Sequence, residues 1–175
     1  GGPPTKYGVP IGDIGAGMFA AYAIAAALFR RSVTGEGQYI DVSMLGGQVA
    51  LLTYQAGSYF ATGVAPEPAG NAHSIITPYD AFPCKDGYVI IAIGNDSLWQ
   101  RFCTVMEMPD VGADERFTTN ALRVANKTAM YELINGALAS LTIDEVIARL
   151  ESAGIPCGPI LTLDRVFADE QVQHF

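Results

Sequence analysis

Residues 14–29, IGAGMFAAYAIAAALF, run for sixteen positions without a charge. No other feature limits the fold as much. As a helix the run spans about 24 Å, at roughly 1.5 Å per residue, short of the ~30 Å core of a bilayer. Asp13 stands before it and Arg30-Arg31 close it, charges that suit the two poles of a helix dipole. Its Gly and Ala content lets other backbones approach closely. The run is therefore expected to be a buried helix, not a membrane span.

The remaining charges are unevenly placed. Residues 1–79 hold three basic side chains (Lys6, Arg30, Arg31) and four acidic ones (Asp13, Glu36, Asp41, Glu67), a net of −1. Residues 80–175 hold seven basic and fourteen acidic, a net of −7. The first part reads as interior and the second as a solvated domain. With 50% hydrophobic and 16% charged residues, the chain is not intrinsically disordered. A net charge of −8 argues against nucleic-acid binding, which needs a basic stripe. Cys84, Cys103 and Cys157 form no CxxC and are odd in number, so three plain thiols in a reducing, cytoplasmic compartment are expected. The start, Gly1-Gly2-Pro3-Pro4, has no initiator Met or signal peptide. It reads as a loop, and the chain as a piece of a longer protein.

Gly35-Glu36-Gly37 predicts a tight turn and QYIDVS, 38–43, a short β segment. A second helix is expected over 43–63. Its uncharged stretch is long enough to cross a membrane. It also contains Gln48, Thr53, Gln55, Ser58 and Thr62, with Gly46-Gly47 near its start, a mixture suited to packing between protein elements. Residues 64–79 are punctuated by Pro and Gly and read as a linker. A hairpin follows: residues 79–83, a turn at Lys85-Asp86-Gly87, and the strand YVIIAI at 88–93. Gly94-Asn95-Asp96-Ser97 offers a turn and an N-cap for a helix over 97–107. Residues 125–140 and 142–153 read as amphipathic helices. Thr142 and Glu145 fit a capping box, and Gly154 a C′ stop. Residues 155–160 read as extended, and 163–168 and 169–174 as short helical turns.

Asp13 is the acid of most interest. It lies in Gly12-Asp13-Ile14-Gly15-Ala16-Gly17. One reading is a plain N-cap, worth about 1 kcal/mol. The other is a nucleophile. The helix dipole and free N–H groups favour the ionised carboxylate, which can attack an activated carbonyl and form a covalent acyl intermediate. Gly12 and Gly15 would let a substrate come close, and nearby N–H groups could stabilise an oxyanion. No strand of suitable length precedes the motif, so it is no dinucleotide fingerprint. His73, in Gly70-Asn71-Ala72-His73, is either a locally satisfied linker residue or part of a site. Gly94-Asn95-Asp96 is either a turn with a cap or a loop closing over a substrate, its amides toward an anion. Trp99 and Phe102 are expected in a core or interface. Two His and three scattered Cys support no metal site. Ser43, Ser74 and Ser97 lack the G-x-S-x-G context.

Taken together, GVPIGDIGAG (8–17), ALFRRSVTGEGQYIDVSML (27–45), GNAHSIITPYDAFPCKDGYVIIAIGND (70–96), DERFTTNALRVANK (114–127) and AGIPCGPILTLDRVFADEQV (153–172) resemble the class III CoA-transferase (CaiB/BaiF, formyl-CoA transferase-like) family. The resemblance covers nearly the whole chain in order. It implies the middle of a longer α/β protein, with part of a Rossmann-like large domain over 1–63, a linker over 64–78 and a small α/β domain over 79–175. That small domain would carry the β-hairpin and several helices. Two protomers of the full-length protein would interlock as a homodimer. The resemblance places the family's catalytic aspartate on Asp13 and a substrate-binding role on Gly12, Gly15, His73, Gly94 and Asn95. It implies that CoA passes from an acyl-CoA thioester to a carboxylic acid through an aspartyl intermediate. CoA thioester is then a substrate, with no tightly bound cofactor, no metal and no membrane or nucleic-acid partner. The Gly94-Asn95-Asp96 loop matches the family's mobile glycine-rich loop but has one glycine. Gly46-Gly47 stands where the family commonly has an acidic residue.

Three alternatives compete with CoA transfer. One is α-methylacyl-CoA racemisation by the same family, which pairs the aspartate with a histidine upstream of this chain. Gly94-Asn95-Asp96-Ser97 departs from the racemase pattern of an acidic residue with Pro and aromatic neighbours. The second is a non-catalytic interaction piece with Asp13 only a helix cap. The third is a membrane-embedded segment. The 175-residue chain by itself is expected to be inactive, because the upstream nucleotide-binding part is absent.

Overall fold

The computed structural model describes residues 5–175, so the expected loop at Gly1-Gly2-Pro3-Pro4 lies outside the described residues. The chain divides into two compact units, one ending at Pro68 and the other running Ala69–Phe175.

In the first unit the apolar run forms α1 (Ile11–Thr34), a helix of 24 residues. It is longer than the uncharged run because it takes in Asp13 at one end and Arg30-Arg31 at the other. Pro10 is the N-cap residue and makes no side-chain cap bond. Asp13 is therefore the third residue of the helix, which corrects the N-cap reading. Gly35 at φ 76° ends α1, its N–H bonded to the Arg31 carbonyl. By length and composition alone α1 is the one described helix able to cross a membrane, although its uncharged part remains sixteen residues.

The expected β segment at 38–43 forms no strand. No described residue of this unit forms a partner strand, and an unpaired segment leaves its N–H and C=O groups without a ladder. Arg30 instead ties down its approach, donating to Glu36 at 3.1 Å and Gln38 at 3.3 Å. The expected helix over 43–63 is two helices, α2 (Met44–Leu51) and α3 (Thr53–Thr62). The break falls at Thr53, whose φ of 38° is a conformation that β-branched residues rarely adopt. Ser43 caps α2 by accepting the Gly46 N–H at 3.0 Å. Helices α1 and α2 pack together. Gly47 permits this, because a Cβ there would meet the Phe19 ring at 3.3 Å.

The expectation that this part is interior is not met within the chain. Gly15 is the only buried residue of α1, and Phe29 and Val33 are 73% and 72% exposed. The apolar faces exist, but the described residues of this unit leave them exposed.

The second unit has its own core. Strands β1 (Tyr79–Cys84) and β2 (Gly87–Ala92) form the expected hairpin, in register from Tyr79↔Ala92 to Cys84↔Gly87. The extended 155–160 segment supplies β3 (Cys157–Pro159), antiparallel to β2. Alternation along β2 buries Val89 and Ile91, while Tyr88 stays exposed. Helices α4 (Asp96–Val105), α5 (Pro109–Ala113), α6 (Asn120–Ala125), α7 (Lys127–Leu138) and α8 (Ile143–Ser152) follow the hairpin, with a 3-10 turn at Glu115–Phe117 between α5 and α6. The short helices α9 (Leu163–Ala168) and α10 (Glu170–His174) end the chain.

Helix α7 packs on β1, and α8 on β2 and β3. Trp99, Phe102, Phe117, Met130, Ile134, Val146 and Leu150 fill the space between with no exposed surface, each such side chain worth roughly 1.5–3 kcal/mol of burial. Trp99 and Phe102 are thus core residues, stacked at 5.7 Å. The hairpin turn also serves α8. Asp86 accepts the Ile143 N–H at 2.8 Å, and Lys85 donates its N–H to the Leu141 carbonyl. The Thr142–Glu145 capping box is present, and Gly154 adopts φ 63° just after the helix.

Candidate active site

The candidate residues fall into two groups, one in each unit. In the first unit, Asp13 lies in the first turn of α1, where amide N–H groups lack intrahelical partners. The side chain is exposed. Among the described residues its carboxylate has no hydrogen-bond or ion-pair partner. Gly12 and Gly15 place the same face of α1 against α2. A Cβ on Gly12 would meet the Gln48 side-chain amide at 3.1 Å, and one on Gly15 would meet Leu51 at 3.6 Å. The two glycines are three apart on α1, and Gln48 and Leu51 are three apart on α2, so one turn of each helix meets the other. Gln48 stands next to the Asp13 turn. Sequence reasoning singled it out only as a polar residue in a helix. A groove of about 310 Å³ between α1 and α2 is lined by Phe19, Asp41, Ser43 and Gly47 but not by Asp13.

In the second unit, His73 is held on both sides. Its Nδ1 accepts the N–H groups of Ile75 and Ile76 at 3.3 and 3.2 Å, and its backbone N–H donates to the Tyr79 carbonyl at 2.9 Å. The ring stacks on Tyr79 at 5.1 Å. With Nδ1 accepting, this tautomer carries its proton on Nε2. These bonds within its own segment fix the orientation of the ring.

Gly94 and Asn95 lie between β2 and α4. Asn95 is the N-cap of α4, its Oδ1 accepting the Leu98 N–H at 2.8 Å. The turn-and-cap reading holds. Gly94 has open space where a Cβ would stand, so packing in this unit does not demand a glycine there.

The structure joins the His73 segment to the Gly94–Asp96 loop through α6, a helix the sequence pattern does not announce. Asn120 donates to the Ile75 carbonyl at 2.9 Å and accepts the Thr77 N–H at 3.0 Å. Arg123 donates to the Thr77 carbonyl at 2.9 Å, to the Phe117 carbonyl at 3.0 Å, and to Asp96 at 2.7 Å. The Thr77 hydroxyl donates to the Tyr131 hydroxyl at 3.4 Å, and burial pushes that phenol up to about 12. The only sequence signal was the spacing of Asn120 and Arg123, three apart and so on one helix face.

The model of CoA-transferase family III matches residues 1–175. The chain belongs to that family. It is 38% identical over 172 residues to a succinate–glutarate CoA-transferase of Agrobacterium fabrum, covering 98% of this chain and 43% of that protein. It is 37% identical over 173 residues to a mouse succinyl-CoA:glutarate CoA-transferase, covering 99% and 40%. Among solved structures, a CaiB/BaiF family protein from Brucella suis matches with a TM-score of 0.82 and 40% identity, over 98% of this chain and 45% of that one. The chain thus spans less than half the length of the curated relatives it matches. The mixed fold of helices and a small antiparallel sheet is that of the family.

Proposed function

We propose that this chain is the central part of a CoA-transferase that moves CoA from an acyl-CoA thioester to a carboxylic acid, with Asp13 as nucleophile. The observation that carries the reading is the Asp13 carboxylate itself. It is exposed and unpartnered among the described residues, and it sits in a helix first turn between two glycines. A carboxylate so placed is available to a substrate, and free amides of the turn can take up charge that develops on a carbonyl oxygen.

The chemistry runs in balanced steps. An Asp13 oxygen attacks the thioester carbonyl, the C–S bond breaks, and CoA leaves as thiolate, giving a mixed anhydride. The thiolate attacks the aspartyl carbonyl, the donor acid departs as carboxylate, and an aspartyl-CoA thioester remains. The acceptor carboxylate attacks that thioester, and the CoA thiolate then returns to the acceptor carbonyl and frees Asp13. Gly12 and Gly15 let α2 close on the turn that carries Asp13, with Gln48 and Leu51 against them, and any contact they make with substrate is through backbone. His73, Gly94 and Asn95 contribute to substrate binding, and the open space before Gly94 suits close approach of a ligand to backbone. Short dicarboxylic acids are the substrate class to test first, since two relatives are named for succinate and glutarate.

The wider arrangement belongs to the same proposal. Residues 1–63 form part of a Rossmann-like large domain, 64–78 a linker and 79–175 the small domain, in a cytoplasmic interlocked homodimer. The rest of the polypeptide and its second copy cover the apolar faces of α1. The 175-residue chain by itself is inactive.

The test uses the full-length polypeptide with succinyl-CoA and glutarate. Hydroxylamine or borohydride trapping followed by mass spectrometry should mark Asp13, and Asp13→Asn should abolish glutaryl-CoA formation. Turnover that persists with no adduct overturns the reading. Deuterium uptake at the α-carbon of a 2-methylacyl-CoA, with no acceptor required, would assign racemisation instead.

A further inference from the structure

We infer that Arg123 is a positioning residue that locks the His73–Thr77 segment to the Gly94–Asp96 loop, so that both move and bind as one element. The inference rests on the reading that His73, Gly94 and Asn95 bind substrate. The geometry is specific. Arg123 is a cation with no exposed surface, 5.5 Å above the Trp99 ring. All three nitrogens of its fork are used. Nε holds the Thr77 carbonyl, Nη1 the Phe117 carbonyl and Nη2 the Asp96 carboxylate.

Burying an arginine is costly unless its donors are met, and an apolar side chain would fill the same core. The fork meets acceptors on three separate segments: one following His73, one following Gly94-Asn95, and the 3-10 turn. Asn120 adds two bonds to the first segment from the same helix. The β2 end joins in, because Ile93 donates its N–H to the Pro78 carbonyl at 2.9 Å. Of the three residues that the fork holds, only Asp96 is at the surface, its side chain 55% exposed. It is also the residue directly after Asn95. A ligand that displaces the loop must therefore work against a bond whose other end is fixed in the core.

The test compares wild type, Asp96→Ala and Arg123→Lys in the full-length polypeptide. Two readouts are taken: amide hydrogen exchange, and KM against kcat for succinyl-CoA. Asp96→Ala changes a surface side chain and should fold. It should raise exchange about tenfold at Thr77, which Asp96 does not touch, as well as at Leu98. It should also raise KM several-fold while kcat changes less. Arg123→Lys keeps the charge but not the fork, and should not rescue either readout. Faster exchange confined to 94–98, with KM unchanged, overturns the inference. If wild type transfers no CoA, the functional reading fails by itself, and exchange at Thr77 alone decides whether the lock exists.

Discussion

The guanidinium of Arg123 has no exposed surface, yet it lies 2.7 Å from an oxygen of Asp96, whose side chain is more than half exposed. One end of this ion pair is fixed by the core and the other meets solvent. The pair should respond very differently to substitution at its two ends.

Arg123→Met removes the donor for two buried carbonyls and leaves Asp96 free to solvate. A loss of about 2–6 kcal/mol is expected, because two buried carbonyls are left without a donor at about 1–3 kcal/mol each. Asp96→Asn keeps a hydrogen-bond acceptor but takes the counter-charge from a buried cation, and should cost about 1.5–3 kcal/mol. Urea unfolding followed by the fluorescence of Trp99 measures both. Equal losses would mean that the bonds to Thr77 and Phe117 contribute nothing.

The two units should differ in how they tolerate loss of an aromatic ring. Phe117 is fully buried and Phe29 is 73% exposed. Phe117→Ala should cost about 3–5 kcal/mol. Phe29→Ala in this chain should change stability by less than about 0.5 kcal/mol. In the full-length protein Phe29→Ala should become costly, because the proposal places that ring under the rest of the polypeptide. Thermal unfolding of both variants in both lengths decides the point.

Glu145 makes α8 sensitive to acid. The Thr142 backbone N–H, then its hydroxyl, hold the Glu145 carboxyl below its usual range. A depressed carboxyl contributes stability above its unfolded pKa of about 4.3, and loses that contribution as pH falls through the lower folded value. Glu145→Gln should therefore have a lower Tm than wild type at neutral pH. The difference should shrink below about pH 4. A difference that stays constant with pH would exclude the ionic part of the cap.

The three thiols should separate by reactivity. Burial pushes Cys103 up to about 12. Burial also raises Cys84 and Cys157, but both are only partly buried. The thiolate is the reactive form. At pH 8, iodoacetamide should label Cys84 and Cys157 slowly and leave Cys103 untouched until the chain unfolds. Peptide mapping by mass spectrometry reads this directly. Early labelling of Cys103 would contradict its placement beside Gly112 and Phe102 in the core.

Elements whose signals are local were legible in the sequence. The Lys85-Asp86-Gly87 turn fixes the hairpin, and Thr142 with Glu145 fixes the start of α8. Gly154 ends that helix because φ 63° suits glycine. Elements that depend on distant partners were legible only in part. The 38–43 segment has strand composition but no neighbour to pair with. The 155–160 segment has weaker composition, yet becomes β3 because Ile91 and Val89 of β2 lie beside it. Helix α6 is six residues long, too short for a periodic signal.

The same division holds at the site. Asp13 could be singled out from its glycine-flanked place at the start of an apolar run. Its position as third residue rather than cap required the Pro10 backbone. Gln48 and Arg123 gave no comparable signal, because each acts on residues far away in sequence, Gln48 against Gly12 and Arg123 on Thr77.

What the sequence determined by itself is the family, the apolar helix, the hairpin and the acid at the mouth of that helix. All rest on interactions within a few residues or on patterns that survive without coordinates. Tertiary structure decided which of two possible strands pairs, where the long second helix breaks, and that a buried arginine joins two loops. Those outcomes depend on desolvation and on donors meeting acceptors across forty or so residues, as Arg123 meets Thr77 at a separation of 46. A linear pattern does not carry that information, because the cost of an unmet buried donor appears only once the surrounding core has formed.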